Sequence, residues 1–342
     1  MVRRHQYAGI TRSVRRHLTF CLPLDERGIE GDLPLTSQPI DTSIYATITA
    51  AIRSEASRLF TAAEVVAIIG YAAARRVGSA QPVIITDAAA AETLIFTEAC
   101  VNNLAVYLTK AKKEIPKKGK IGIIVKGCDL KALVGLMGES QLKREDLYLI
   151  GIPCAGVLAS AVQPATTLTT ETIASKCCEC DVHLPLGCDF VPSVTLPPGP
   201  QMESRYSEEI ARLEALTPAE RWAYWKEQFA KCIKCYACRQ ICPFCFCEQC
   251  LCDRNKPQMV ETTPRPAGNT AWHIVRAMHL AGRCAGCAEC ERVCPMDIPL
   301  NLLNRKMAKE LKELYDYEAG FEINDKGPLT MFTEKDDQSF IK

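Results

Sequence analysis

Between Val65 and Ile152, short apolar runs rich in β-branched residues alternate with longer stretches of mixed polarity. Val65–Ile69, Pro82–Thr86, Ile121–Lys126 and Leu147–Ile152 are bounded by glycine, proline or charge, the pattern of buried strands. The stretches between them, Ala88–Lys110 and Asp129–Met137, carry helical patterning. Strands alternating with helices predict a largely parallel sheet covered by helices. The prolines at 192, 197, 198 and 200 suit neither a helix nor a central strand and mark a boundary. Beyond it, Ser207–Phe229 reads as a charged helical stretch, with Thr217, Pro218 and Glu220 spelling a capping box with proline at the first helical position. The predicted organisation is an arm over residues 1–55, an α/β domain over 56–200, a helical linker over 201–230, a module over 231–303 and a helical extension with a polar tail over 304–342.

Composition narrows the class. Across 342 residues, 48% hydrophobic and 24% charged content fit a soluble globular protein. The net charge of +1 gives no field that would draw nucleic acid or an anionic membrane. Arg3, Arg4, Arg12, Arg15 and Arg16 make the N-terminus locally basic, as a solvated arm would be. The apolar run after Arg16 ends at Leu24, too short for a secretion signal. The longest uncharged apolar stretch, Leu147–Val162, is interrupted by Gly151, Pro153 and Ser160 and falls short of the ~20 residues a membrane span needs. Twenty cysteines are several times ordinary usage. In a chain of this length without a secretion signal they predict reduced, metal-ligating thiols and a cytoplasmic protein.

Their spacing is informative. Cys232-x2-Cys235-x2-Cys238-x3-Cys242-Pro243 and Cys284-x2-Cys287-x2-Cys290-x3-Cys294-Pro295 each match the bacterial ferredoxin pattern for 4Fe-4S clusters. In two-cluster ferredoxins of this kind, the fourth cysteine of each run ligates the other cluster. The expected sets are therefore Cys232, Cys235, Cys238 and Cys294 for one cluster, and Cys284, Cys287, Cys290 and Cys242 for the other, within a ferredoxin-like α+β domain. Zinc sites more often pair ligands across longer spacers. Between the two runs, Cys245, Cys247, Cys250 and Cys252 can hold a further cluster or a zinc ion, or stay unligated; their spacing matches no template.

A third group lies in the α/β region. Cys128 and Cys154 follow predicted strands, and parallel sheets gather ligands at the carboxyl ends of their strands. The helix expected from Asp129 would turn its amino end toward a thiolate-bound cluster. With Cys177 or Cys178, and Cys180, these can supply a third set, although single buried cysteines are also common packing residues.

Several blocks resemble the beta-subunit family of coenzyme F420-dependent hydrogenases and formate dehydrogenases. They are Ala99–Leu108, Ile124–Asp129, Ile150–Cys154, the Cys177-x2-Cys180 pair with Pro185 and Asp189, and the stretch from Ala277 through Met296-Asp297-Ile298-Pro299. The last fits members with an added ferredoxin domain, and the resemblance runs from about Ala63 to Leu303. It implies FAD beside a 4Fe-4S cluster held by Cys128, Cys154, Cys177 and Cys180, with Asn102, Asn103, Lys126 and Gly127 near the flavin. It also implies an oxidoreductase subunit that passes electrons between a soluble hydride carrier (a deazaflavin or NAD(H)) and clusters wired to partner subunits of a formate dehydrogenase, a hydrogenase or a heterodisulfide-reductase-like complex. Residues 1–60 depart from the family, lacking its glycine-rich opening. The alternative expectation is a flavin-free iron–sulfur wiring subunit with no substrate of its own. No acid–base constellation stands out: His5, His17, His183, His273 and His279 are scattered, and Trp222, Trp225 and Trp272 read as packing or interface residues.

Overall fold

The computed structural model describes residues 44–110, 119–159, 168–169, 171–195, 205–324 and 327–328. Helix α1, Ile44–Thr61, buries Tyr45, Ile48, Ile52, Ala56 and Leu59, an apolar stripe at helical spacing that seats it on the core. Residues 44–55, expected within the arm, thus belong to the packed structure; residues 1–43 lie outside the described ones.

All four expected strands form: β1 Ala67–Ala73, β2 Ala80–Ile85, β3 Ile121–Val125 and β4 Leu147–Gly151. Their order is β2-β1-β3-β4. β3 runs parallel to both β1 and β4, whereas β2 pairs antiparallel with β1, placing Ile68 opposite Ile85. The sheet is therefore mixed. The short connection over 74–79 permits only a hairpin, because a parallel return needs a crossover of a dozen or more residues.

Ala88–Lys110 is not the expected continuous helix. A 3-10 turn at Ala89–Thr93 leads into irregular chain and then α2, Ala105–Lys110. Tertiary partners take the backbone groups between: Arg53 donates to the Leu94 carbonyl at 2.9 Å, and the Ile95 amide donates to the Tyr71 carbonyl at 2.9 Å. Such contacts override local helix preference. Helix α3, Gly127–Gly138, follows β3 directly, and the short α4 spans Ser175–Cys178.

The expected charged helix is two, α5 Arg205–Ala215 and α6 Pro218–Ala230. They part at the capping box, where the Thr217 amide donates to the Glu220 carboxylate at 2.9 Å and the Glu220 amide returns a bond to the Thr217 hydroxyl. The cysteine runs then carry α7 Ala237–Gln240 and α9 Glu289–Arg292, with α8 Pro266–Leu280 between them and α10 Leu300–Tyr315 after them. Among the described residues from 205 onward no strand forms beyond an isolated Asn255–Gln258 bridge, so the β part of the expected α+β module is not seen there. One apolar core extends from the sheet to Cys242, Phe244, Leu280 and Ala285, joining the two regions. No described helix is long and apolar enough to cross a membrane.

Candidate functional site

The two ferredoxin-type runs follow the same backbone path. Lys234 and Tyr236 in the first, and the corresponding Gly286 and Ala288 in the second, have left-handed φ angles of 57°, 57°, 67° and 53°. Non-glycine residues hold such angles only when the surroundings enforce them. Cys232, Cys235, Cys238 and Cys294 line one cavity with Trp272 and His273. The set expected from crossed pairing is thus brought together. Burial pushes up the Cys238 thiol, and Cys232, Cys235 and Cys294 add to the rise.

The thiols of the second set are near enough to influence one another. Burial raises the Cys284, Cys287 and Cys290 thiols, and Cys242 is among the neighbours that raise each further. The Asn304 amide donates toward the Cys290 sulfur at 3.8 Å. A hydrogen bond with Cys245 lowers the Cys242 thiol, and Cys242 in turn raises Cys245. Cys245 therefore pairs with Cys242, while burial and then Cys250 raise Cys252 to about 11. Cys247 is exposed. Among the described residues no three His, Cys, Asp or Glu side chains converge enough to hold one metal ion. A cubane makes a different demand, since each of its thiolates takes a separate iron.

The third set assembles from distant segments. Cys128 sits in the first turn of α3, Cys154 follows β4, Cys177 lies on α4 and Cys180 just beyond it; all four line one cavity. Cys178 does not line it and donates instead to the Ala174 carbonyl at 3.7 Å. Burial pushes Cys128 up to about 11 and Cys180 to about 12, and raises Cys154 well above the ordinary thiol range. Lys126 and Lys176 line the same cavity, and their charges pull the Cys128 thiol back down. Gly127 must be glycine: a Cβ there would lie 1.8 Å from the Val182 carbonyl oxygen.

The residues expected near a flavin meet at this turn. Lys126 is buried and pairs with Asp129 at 2.9 Å, while donating to the Asn102 carbonyl at 2.9 Å and to the Tyr71 hydroxyl. The Asn103 side-chain amide donates to the Cys128 carbonyl at 2.9 Å, and Asp129 accepts from the Leu104 amide at 2.7 Å. Lys126 and Asn103 therefore use these bonds to fix the start of α3 and with it Cys128. Lys126 and Gly127 also line the cysteine cavity.

Three buried charged residues escaped the sequence reading. Lys176 donates to the Val101 carbonyl at 2.9 Å and pairs with Glu289 at 3.6 Å; Glu289 also holds Arg292 at 2.7 Å. Arg276 and His273 lie on the inner face of α8, where Trp272, Ala277 and Leu280 are buried. Among the described residues, both His273 ring nitrogens and the Arg276 Nε lack partners. Buried polar groups are otherwise almost always bonded. A sulfide-rich group held by the adjacent cysteines would fit these orphaned donors. The one signal in the sequence is a charged and an imidazole side chain on an otherwise apolar helical stripe.

Among the described residues three groups of thiols come together, two of them on matching turns and one where α3 and α4 meet the ends of β3 and β4. No protein-family model matches the chain. It is similar to the beta subunits of F420-dependent formate dehydrogenases. Subunit beta of Methanocaldococcus jannaschii is 35% identical over 96 residues, covering 28% of this chain and 25% of that protein. Subunit beta of formate dehydrogenase 1 from Methanococcus maripaludis is 23% identical over 300 aligned positions, covering 63% of this chain and 76% of that protein. The chain thus spans about a quarter of the first relative and three quarters of the second.

Proposed function

We propose that the chain is an electron-transfer subunit of a formate-dehydrogenase-like oxidoreductase, with three 4Fe-4S clusters held in a row by its three cysteine sets. The observation that carries this reading is a shared wall. Ala285 and Gly286, from the loop between Cys284 and Cys287, line the cavity of Cys128, Cys154, Cys177 and Cys180. The Lys176–Glu289 pair spans the same boundary. Next along, Cys238 and Cys290 are near enough for the charge of one to raise the other.

Bound there, the clusters would supply one-electron carriers whose potentials follow net charge, hydrogen bonding to sulfur and exposure. The protein's part is to gather the thiols, to exclude water from them and to offset their charge with Lys126 and Lys176. FAD would convert a two-electron hydride into single electrons, beside the turn formed by Asn102, Asn103, Lys126 and Gly127. The relatives are named for F420, which favours a deazaflavin as the hydride carrier over NAD(H), and they are named as subunits, which favours a formate dehydrogenase catalytic subunit as the partner. A reducing cytoplasm suits so many thiols.

A flavin-free wire is the competing reading, favoured by the internal bonds that occupy Lys126 and Asn103. Flavin analysis of the anaerobically purified chain, followed by mixing with reduced deazaflavin or NADH, separates the two. About one FAD per chain, with cluster absorbance bleached by the reduced deazaflavin, is the expected result. No flavin and no bleaching by either donor would overturn the hydride-accepting role.

A further inference from the structure

The connection between the two cysteine runs carries α8, and its inner face is built around a charge. Arg276 is 5% exposed. Its Nη2 donates to the Cys238 carbonyl at 3.3 Å, while its Nε has no partner. Among the described residues no carboxylate pairs with it; the charges that favour its protonated form against burial are the thiols of Cys290, Cys242, Cys238 and Cys245. Cys238 belongs to one ferredoxin-type set, and Cys242 and Cys290 to the other. Lys126 and Lys176, also deeply buried, are built differently: each has a carboxylate, Asp129 and Glu289 respectively. His273, one turn earlier on the same face, lines the cavity of Cys232, Cys235, Cys238 and Cys294 with both ring nitrogens unpartnered.

An uncompensated buried charge is strongly unfavourable, so a guanidinium left without a carboxylate must find its counter-charge elsewhere. A cubane with four thiolates is anionic and gains one more negative charge on reduction. A guanidinium is permanently protonated, so one electron can enter either cluster with no proton following it. We propose that Arg276 is the shared counter-cation of the two clusters held by the ferredoxin-type cysteines, and that it raises both reduction potentials. This inference rests on the cluster assignment proposed above.

The test is an anaerobic redox titration of the full chain followed by electron paramagnetic resonance, with iron and sulfide measured on the same samples. Arg276→Gln is expected to lower the reduction constant of both ferredoxin-type clusters by at least roughly tenfold, about 59 mV for one electron. Arg276→Lys, which keeps the charge, is expected to stay near wild type, and the cluster of Cys128 should be unmoved in both variants. A fully loaded Arg276→Gln protein with unshifted potentials would overturn the proposal. Should Arg276→Gln lose iron, retention of iron and potentials in Arg276→Lys supports the charge role. Loss in both variants reduces Arg276 to a brace for the Cys238 backbone and overturns it. A wild-type chain lacking the ferredoxin-type clusters would sink the assignment itself, and the inference with it.

Discussion

The sheet region and the helical region gather thiols in opposite ways. Around α8 the cysteines come from two compact runs, and left-handed residues within each run shape the local chain. At the sheet the four cysteines span residues 128 to 180: Cys128 and Cys154 follow β3 and β4, which end side by side, and the α4 segment brings Cys177 and Cys180 to them. Charge handling differs as well. Lys126 and Lys176 beside the sheet cavity have carboxylate partners, whereas among the described residues Arg276 has none and is bonded to the Cys238 carbonyl with the ferredoxin-type thiols near it. A thiol set made by local turns depends on a short sequence, while one made by strand ends depends on the whole fold. The sheet-borne set should accordingly be the more sensitive to distant substitutions.

Removing Cys128 is expected to have the largest effect. Cys128→Ala should cost one whole cluster, about four irons, and leave the spectra of the other two intact; undiminished iron would break the third assignment. Cys294→Ser sharpens the contrast on the other side. It should disturb the cluster of Cys232, Cys235 and Cys238, and loss of its neighbour instead would show that the pairing is not crossed.

Asp129→Ala strands the Lys126 charge in the interior and removes the acceptor for the Leu104 amide. A loss of about 3–5 kcal/mol in denaturant unfolding is expected, with iron at the sheet site falling first. Gly127→Ala must displace the Val182 carbonyl and should cost about 1–3 kcal/mol, again at the sheet site. The smallest effect belongs to Thr217→Ala, a helix cap remote from the cavities, at about 1 kcal/mol with iron content unchanged. Equal iron loss from all three clusters in the Gly127 variant would abolish the distinction between the regions.

The same distinction governs what was legible in the sequence. The strands were readable because they are short apolar runs bounded by breakers, with β3 buried throughout, and the capping box at Thr217 because its chemistry is local. The two ferredoxin-type runs are patterns of local spacing in the same way. By contrast, the direction of β2 follows from the length of one connection, and Ala88–Lys110 escapes a helix because α1 and β1 take its backbone bonds. The meeting of Cys128, Cys154, Cys177 and Cys180 was visible only through the rule for strand ends and the family resemblance. The C-x2-C spacing favours Cys177 over Cys178, and the fold turns Cys178 away from the cavity toward Ala174. Arg276 and His273 stayed hidden because their meaning lies in what they fail to bond.

The central claim is three cysteine sets holding three clusters, and the most direct measurement is iron and acid-labile sulfide per chain after anaerobic purification. About twelve of each are expected, three cubanes of four. About eight of each would contradict it, leaving the two ferredoxin-type clusters and a sheet region whose gathered thiols hold nothing.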